Sequence, residues 1–191
     1  TESDLYTVPF NDGAGGPATK VPGASDPGVA EYYPDFSADD QLIAYNRAGT
    51  DGYIYYRPDG QINVIAAAGG TPTNLIANQP PVCTGESADN VINSWPKWSP
   101  SVSTDAAGGK YYWLVFSSAR AYDGTFIVPR DYYTPVELDT RSSQLYLTAV
   151  YVAADQSVTS YPAVYIWNQN SSTSNLTPAW DEFKIPPQIV R

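Results

Sequence analysis

Asp35, Asp39 and Asp40 crowd one short stretch, "PDFSADD", and Asp131, Glu137 and Asp139 crowd another. Grouped carboxylate oxygens are the donors that calcium takes, so Asp35, Asp39 and Asp40 are the metal candidates, set against the ordinary role of such residues in solvated turns. Neither stretch has the Asp-x-Asp-x-Asp-Gly spacing of a dedicated calcium loop, and no other cofactor is expected. Two carboxylates acting as a glycosidase pair need a separation of about 5 to 10 Å across a cleft, and no residue of this chain is singled out for that role. Histidine is absent. That removes a Ser-His-Asp triad, His-based zinc sites and C-x-x-C-H haem attachment from this chain. There is no G-x-S-x-G elbow, P-loop or dinucleotide fingerprint, and "GAGGPATK" reads as a turn between strands that opens no helix. Cys83 is the only cysteine. It reads first as a buried free thiol, next as half of a bridge to a cysteine elsewhere, and last as a nucleophile, since no histidine is present to activate it. No catalytic residue is expected.

Aromatic side chains offer a different chemistry, that of contact. Tyr122, Phe126, Tyr132 and Tyr133 fall in one long insertion, residues 121–143. Loops longer than about 15 residues are commonly functional, so these four are the candidates for touching a partner. Rings on an exposed loop also stack on sugars, which keeps glycan binding open. Asn170-Ser171-Ser172 and Asn175-Leu176-Thr177 match the N-glycosylation sequon. The formal charge of −10 repels phosphate backbones and makes nucleic acid a poor partner. The apolar runs are far shorter than the roughly 20 residues of a membrane-spanning helix. A charged fraction of only 16% with abundant Ser, Thr, Asn and Tyr suits an extracellular or periplasmic protein. With no methionine and Thr1 leading, the chain is expected to be a processed product or part of a longer one.

The elements that must carry these side chains read as strands. "LYTVPF", "QLIAYNR", "YIYYR", "INVIAAA", "YYWLVFS", "QLYLTAVYV" and "AVYIWN" are short, rich in Tyr, Val and Ile, and bounded by Gly, Pro, Asn or Asp. The 17 prolines and 14 glycines leave no room for long helices. The chain reads as all-β. It also repeats. Pro34-Asp35-Phe36, Pro96-Lys97-Trp98 and Pro178-Ala179-Trp180 open three modules, and Ser37 and Ser99 continue the first two. Each of those two runs on through a turn, an apolar strand, a third strand and an outer strand. The opening segment, "DLYTVPFNDGAGGPATKVPG", matches the second half of such a module. Openings are 96 − 34 = 62 and 178 − 96 = 82 residues apart, beyond the ~40 to 50 of common propeller blades. The excess lies in "QPPVCTGESADNVINS" and in the 121–143 insertion.

This pattern, Pro-x-aromatic-Ser, a turn, an apolar strand, an Ile- or Leu-led strand and Gly-Gly, resembles the TolB-like or WD-like propeller repeats of bacterial envelope and exported proteins. The usual Ser-Pro-Asp-Gly turn is Ser37-Ala38-Asp39-Asp40 here, which asks Asp40 to adopt the left-handed backbone that glycine normally supplies. The resemblance implies a β-propeller segment of about two and a half to three four-stranded blades. Residues 1–30 would be the second half of a blade, 31–80 and 81–175 two blades, and 176–191 the start of another with an extended tail. Pro34, Pro96 and Pro178 are then expected at strand starts, with Phe36, Trp98 and Trp180 as wedges between blades. Closed rings hold roughly 4 to 8 blades, so the remaining blades, in the same protein or a companion chain, are the expected partner. The implied function is a non-catalytic scaffold that binds protein partners. One alternative is a regulatory or gating propeller of a hydrolase or redox complex whose catalytic residues lie outside this chain. The other is a glycan-binding module.

Overall fold

The computed structural model describes residues 2–50, 54, 57, 59–79, 91–120, 142–170 and 172–181. These residues form eleven strands, two short 3-10 turns and no α-helix. The chain is all-β, as its Tyr, Val and Ile runs between Gly and Pro dictate. Among the described residues no helix is long and apolar enough to cross a membrane.

Three antiparallel sheets follow one another along the chain, and none closes on itself. β1 (Tyr6–Thr7) and β2 (Thr19–Lys20) make a small hairpin. β3 (Val29–Phe36), β4 (Leu42–Gly49), β5 (Gln61–Ala66) and β6 (Thr73–Asn74) pair in sequence order as a four-stranded meander. β7 (Ser94–Thr104), β8 (Lys110–Ser118) and β9 (Gln144–Val152) repeat the arrangement. The outer edge of β9 carries two short strands, β10 (Val158–Ser160) and β11 (Val164–Tyr165). Pro162, which has no N–H to donate, lies in the gap between them.

The central sheet is apolar on both faces because both are covered. Side chains two apart along a strand share a face. Ile43, Tyr45 and Ile65 therefore pack together against Leu5, Val21 and Ala24 of the hairpin segment. The opposite set, Leu42, Ala44, Ile62 and Val64, meets Trp98, Tyr112, Leu114, Phe116 and Val150 of the third sheet in one continuous cluster. Hairpin, central sheet and third sheet thus stack face to face, and the largest apolar contact is the seam between the last two.

The openings differ from expectation in an instructive way. Pro34 does not start a strand: it lies near the end of β3, inside a bulge where the register with β4 slips between Tyr32 and Asp35. Pro96 sits in the matching slip between Ser94 and Lys97. A bulge is the other place in a sheet where a missing N–H is harmless. The residue before each proline takes a positive φ: 53° at Tyr33, 53° at Trp95 and 48° at Thr177. Aromatic and β-branched residues seldom adopt that conformation. Tyr33 and Trp95 stack on each other across the two sheets, ring centroids 5.4 Å apart, which offsets part of that strain. Asp40 has φ 56°, the left-handed backbone its turn requires.

The expected wedges also separate. Trp98 is 6% exposed and lies inside the seam, whereas Phe36 is 48% and Trp180 39% exposed. The pairs Phe36↔Ile43 and Trp98↔Leu114 put the two rings at equivalent places in their sheets. The difference lies in what faces them. A full four-stranded sheet covers Trp98, while the two-stranded hairpin leaves Phe36 half exposed.

Candidate functional site: the seam and the outer face of the third sheet

One end of the seam is built from the tight turns. Ser37 begins the turn after β3, and its Oγ accepts from Leu42 N at 3.0 Å and donates to Asp39 Oδ1 at 2.9 Å. That fixes Asp39, whose Oδ2 accepts from Lys110 Nζ at 2.7 Å and Tyr112 OH at 3.0 Å across the seam. Nearer the centre, Asp35 accepts from Lys97 Nζ at 2.7 Å and Trp98 N at 2.8 Å. Two of the three calcium candidates are therefore occupied as ties between sheets. Asp40 lies beside a cleft of about 560 Å³ at this end, bordered also by Gln41, Thr73, Lys110, Tyr112 and Gln156. Among the described residues, no group of three or more His, Cys, Asp or Glu gathers in a way that could hold a metal. Ser99 closes a smaller feature, a contact with Ser101 Oγ at 3.2 Å beside the second register slip of β7.

Burial of Asp39 opposes its ionisation, but hydrogen bonds from Lys110, Ser37 and Tyr112 outweigh it and hold the carboxyl below the usual range. Burial and the Asp39 bond push the Tyr112 phenol up. A depressed carboxyl contributes stability above its unfolded pKa of about 4, and that contribution is lost as pH falls through the lower folded value. Wild type should therefore lose stability relative to Asp39→Asn on acidification below about pH 4. Urea titrations of both proteins from pH 6 to about pH 2 check this, and a stability difference that stays constant with pH would remove Asp39 from the acid response.

The other end of the seam holds a polar layer inside the core. Asn46, Asn78 and Asn93 are fully buried. Asn46 Nδ2 donates to Asn93 O at 2.7 Å, and Asn93 Nδ2 to Asn78 Oδ1 at 2.8 Å. Asn78 caps β5 by binding both Ile62 N and Ile62 O at 2.8 Å. Arg120, 7% exposed, donates from Nη2 to Asn93 Oδ1 at 2.8 Å and to Ala77 O, and from Nε to Ser118 Oγ at 2.9 Å. Burial lowers its pKa to about 10. None of these residues stands out in the sequence as a site. The available signal is period two: Asn46 follows Leu42 and Ala44 on one face of an apolar strand, where a polar residue demands a partner.

The third feature is the face of the third sheet that turns away from the seam. It carries Tyr111, Trp113 and Val115 from β8, Leu145, Leu147 and Tyr151 from β9, and Tyr161 and Val164 from the outer edge. Trp113 is 42% exposed. Trp180 reaches this sheet from the third opening and donates from Nε1 to Lys97 O at 3.0 Å.

The other candidates divide. Tyr122, Phe126, Tyr132 and Tyr133 lie outside the described residues, as do Cys83, Asp131, Glu137 and Asp139. In the sequons, the Asn175 amide is engaged by Gln144 and Gln169 oxygens, and Asn170 Oδ1 accepts from Ser172. No protein-family model, curated protein or solved structure matches this chain.

Proposed function

We propose that this chain is a non-catalytic scaffold segment of an exported, propeller-like bacterial protein, and that the outward face of its third sheet packs against a further β module. One comparison carries the reading. The register makes Leu42, Ala44, Ile62 and Val64 of the central sheet equivalent to Trp113, Val115, Leu145 and Leu147 of the third. The first set is buried by the sheet that follows; in the second, Trp113 is 42% exposed and Leu145 and Leu147 are half-buried, with only Val115 buried. The same kind of side chain at the same place argues for the same kind of neighbour. Trp180 supports it by position: it contacts Lys97, through its indole and a backbone carbonyl, one module after Trp98 contacts Asp35 through a backbone N–H and a carboxylate. The TolB-like resemblance rests on the three openings, and their shared positive φ before proline supports reading them as repeats of one another. The charge-poor composition supports export.

Oxidative footprinting tests the proposal. Trp113 and Leu147 should label readily in the isolated 191-residue chain and be protected several-fold in the protein as its producing cells make it. Equal labelling in both would sink the reading. Leu147→Asp should leave the stability of the isolated chain within about 1 kcal/mol, because the side chain faces away from the seam. In the complete assembly the same change should loosen the docked module, read as renewed labelling of Trp113.

A further inference from the structure

At its tight-turn end the seam stays open. Ile62, Val64 and Ala66 share one face of β5, yet Ile62 and Val64 are sealed between the sheets while Ala66 is exposed. A methyl at that place does not fill the space toward Val152 of β9. What remains is the cleft of about 560 Å³, with Leu42, Val64 and Val152 among its apolar borders and Ala68, Thr73 and Val158 among its outer ones. That volume lies within the ~300 to 1,000 Å³ of ligand sites. Farther along the same rims the gap is shut: Leu75 is buried in the seam cluster, and Ile76 N donates to Ser160 Oγ at 2.9 Å. The charge around the mouth has one sign. The turns at this end, residues 37–41, 67–72, 105–109 and 153–157, carry Asp39, Asp40, Asp105 and Asp155 and no basic residue. Lys110 also borders the cleft, but Asp39 holds its ammonium at 2.7 Å. Hydrogen bonds from Tyr151 and Ser157 keep the carboxyls of Asp105 and Asp155 below the usual range.

We propose that this cleft takes a short peptide segment of a partner protein, in which one apolar side chain stands beside one basic side chain. The apolar side chain lies on Leu42, Ala66 and Val152, and the lysine or arginine meets the exposed carboxylate of Asp40 at the border. Anions are repelled from such a mouth, and the chain's formal −10 adds to that repulsion. A wholly apolar ligand would leave the carboxylates unused. The peptide groups between the two side chains need donors and acceptors together, and Gln41, Thr73 and Gln156 on the border offer both.

The probe is the blocked dipeptide acetyl-leucyl-lysine amide, compared with its Nε-acetylated form, with acetyl-leucyl-glutamate amide and with N-acetylglucosamine. In an NMR titration the lysine peptide should shift the backbone amides of Ala66, Thr73 and Val152 saturably. The Nε-acetylated peptide should bind roughly three- to fivefold more weakly, the size expected of an ion pair at a rim. The glutamate peptide and the sugar should leave those amides in place. Asp40→Asn, which keeps a residue tolerant of the left-handed backbone, should bind the lysine and acetylated peptides equally. Ala66→Phe should fill the cleft and weaken the lysine peptide more than tenfold. If Ala66→Phe fails to fold, the two peptides measured on wild type and Asp40→Asn still decide the matter. The proposal falls if the lysine peptide moves no amide at the cleft, if the acetylated peptide, the glutamate peptide or the sugar binds wild type as tightly, or if folded Ala66→Phe keeps full affinity. Leu147→Asp should bind the peptide as wild type does, so the scaffold reading, which depends on the opposite face of the third sheet, stands or falls separately.

Discussion

Trp98→Ala should destabilise the chain by about 3 to 5 kcal/mol, while Phe36→Ala and Trp180→Ala should each cost under about 1 kcal/mol. The three aromatic residues occupy the same place in their openings, so sequence position alone would rank them together. Burial separates them. Trp98 is enclosed by the central sheet, and its ring meets Tyr112 edge-on at 5.8 Å between centroids. Truncation leaves a void that two stiff sheets cannot close, which adds a cavity cost to the lost transfer energy. Phe36 and Trp180 are already half open to water, so their truncation leaves no enclosed void. Trp98→Phe should recover much of the loss, because the indole Nε1 is buried without an acceptor and its removal relieves that penalty. Urea midpoints of the four variants settle the order. Equal losses for Trp98→Ala and Phe36→Ala would mean that the hairpin side is as well packed as the seam, contrary to the geometry.

Gly23→Ala is the second large effect, expected at about 2 to 4 kcal/mol from steric overlap together with an unfavourable backbone. Gly23 has φ +85°, and a Cβ there would stand 1.9 Å from Gly70 O. The backbone of the hairpin segment lies directly on the turn after β5, joined by Gly70 N donating to Pro22 O at 2.9 Å. No side chain can yield at such a contact, so backbone must move. Gly28→Ala provides the control: φ +78°, but open space around the added methyl, so about 1 kcal/mol of backbone strain is all it should lose. The damage at Gly23 should be local. Hydrogen exchange should rise at Leu5 and Val21, whose backbone bonds tie the hairpin segment, and stay unchanged in β8 and β9. Exchange rising equally in all three sheets would show that they unfold as one unit.

Much of the fold is legible in the residues, for physical reasons that differ by element. "QLYLTAVYV" is β9 from end to end, since nothing in it breaks a strand and β-branched and aromatic residues favour the pleat. "AVYIWN" fares less well: only Val164–Tyr165 pairs, because Pro162 has already divided that edge. Three prolines mark repeated places, yet the role of Pro34 and Pro96 as bulge residues depends on the register of a partner strand, and register is not written locally. Whether Phe36 or Trp98 is buried likewise depends on what stands opposite. The polar layer was least visible, because Asn46, Asn78, Asn93 and Arg120 are far apart along the chain and meet only when two sheets close on each other. Asp35 and Asp39 were legible as chemistry but not as to kind: a carboxylate suited to calcium is equally suited to a lysine, and the lysines, Lys97 and Lys110, arrive from the next sheet.

The outer rims of the two large sheets are stubs, two residues in β6 and three and two in β10 and β11. A long exposed rim invites another chain to zip on, backbone to backbone, and is a seed for fibrils. At these two rims such zipping has almost nothing to hold, whereas the opposite edges, β3 and β7, run for eight and eleven residues. At the outer rims a neighbour is therefore steered to the broad flanks instead, where matching of side-chain shape decides what docks.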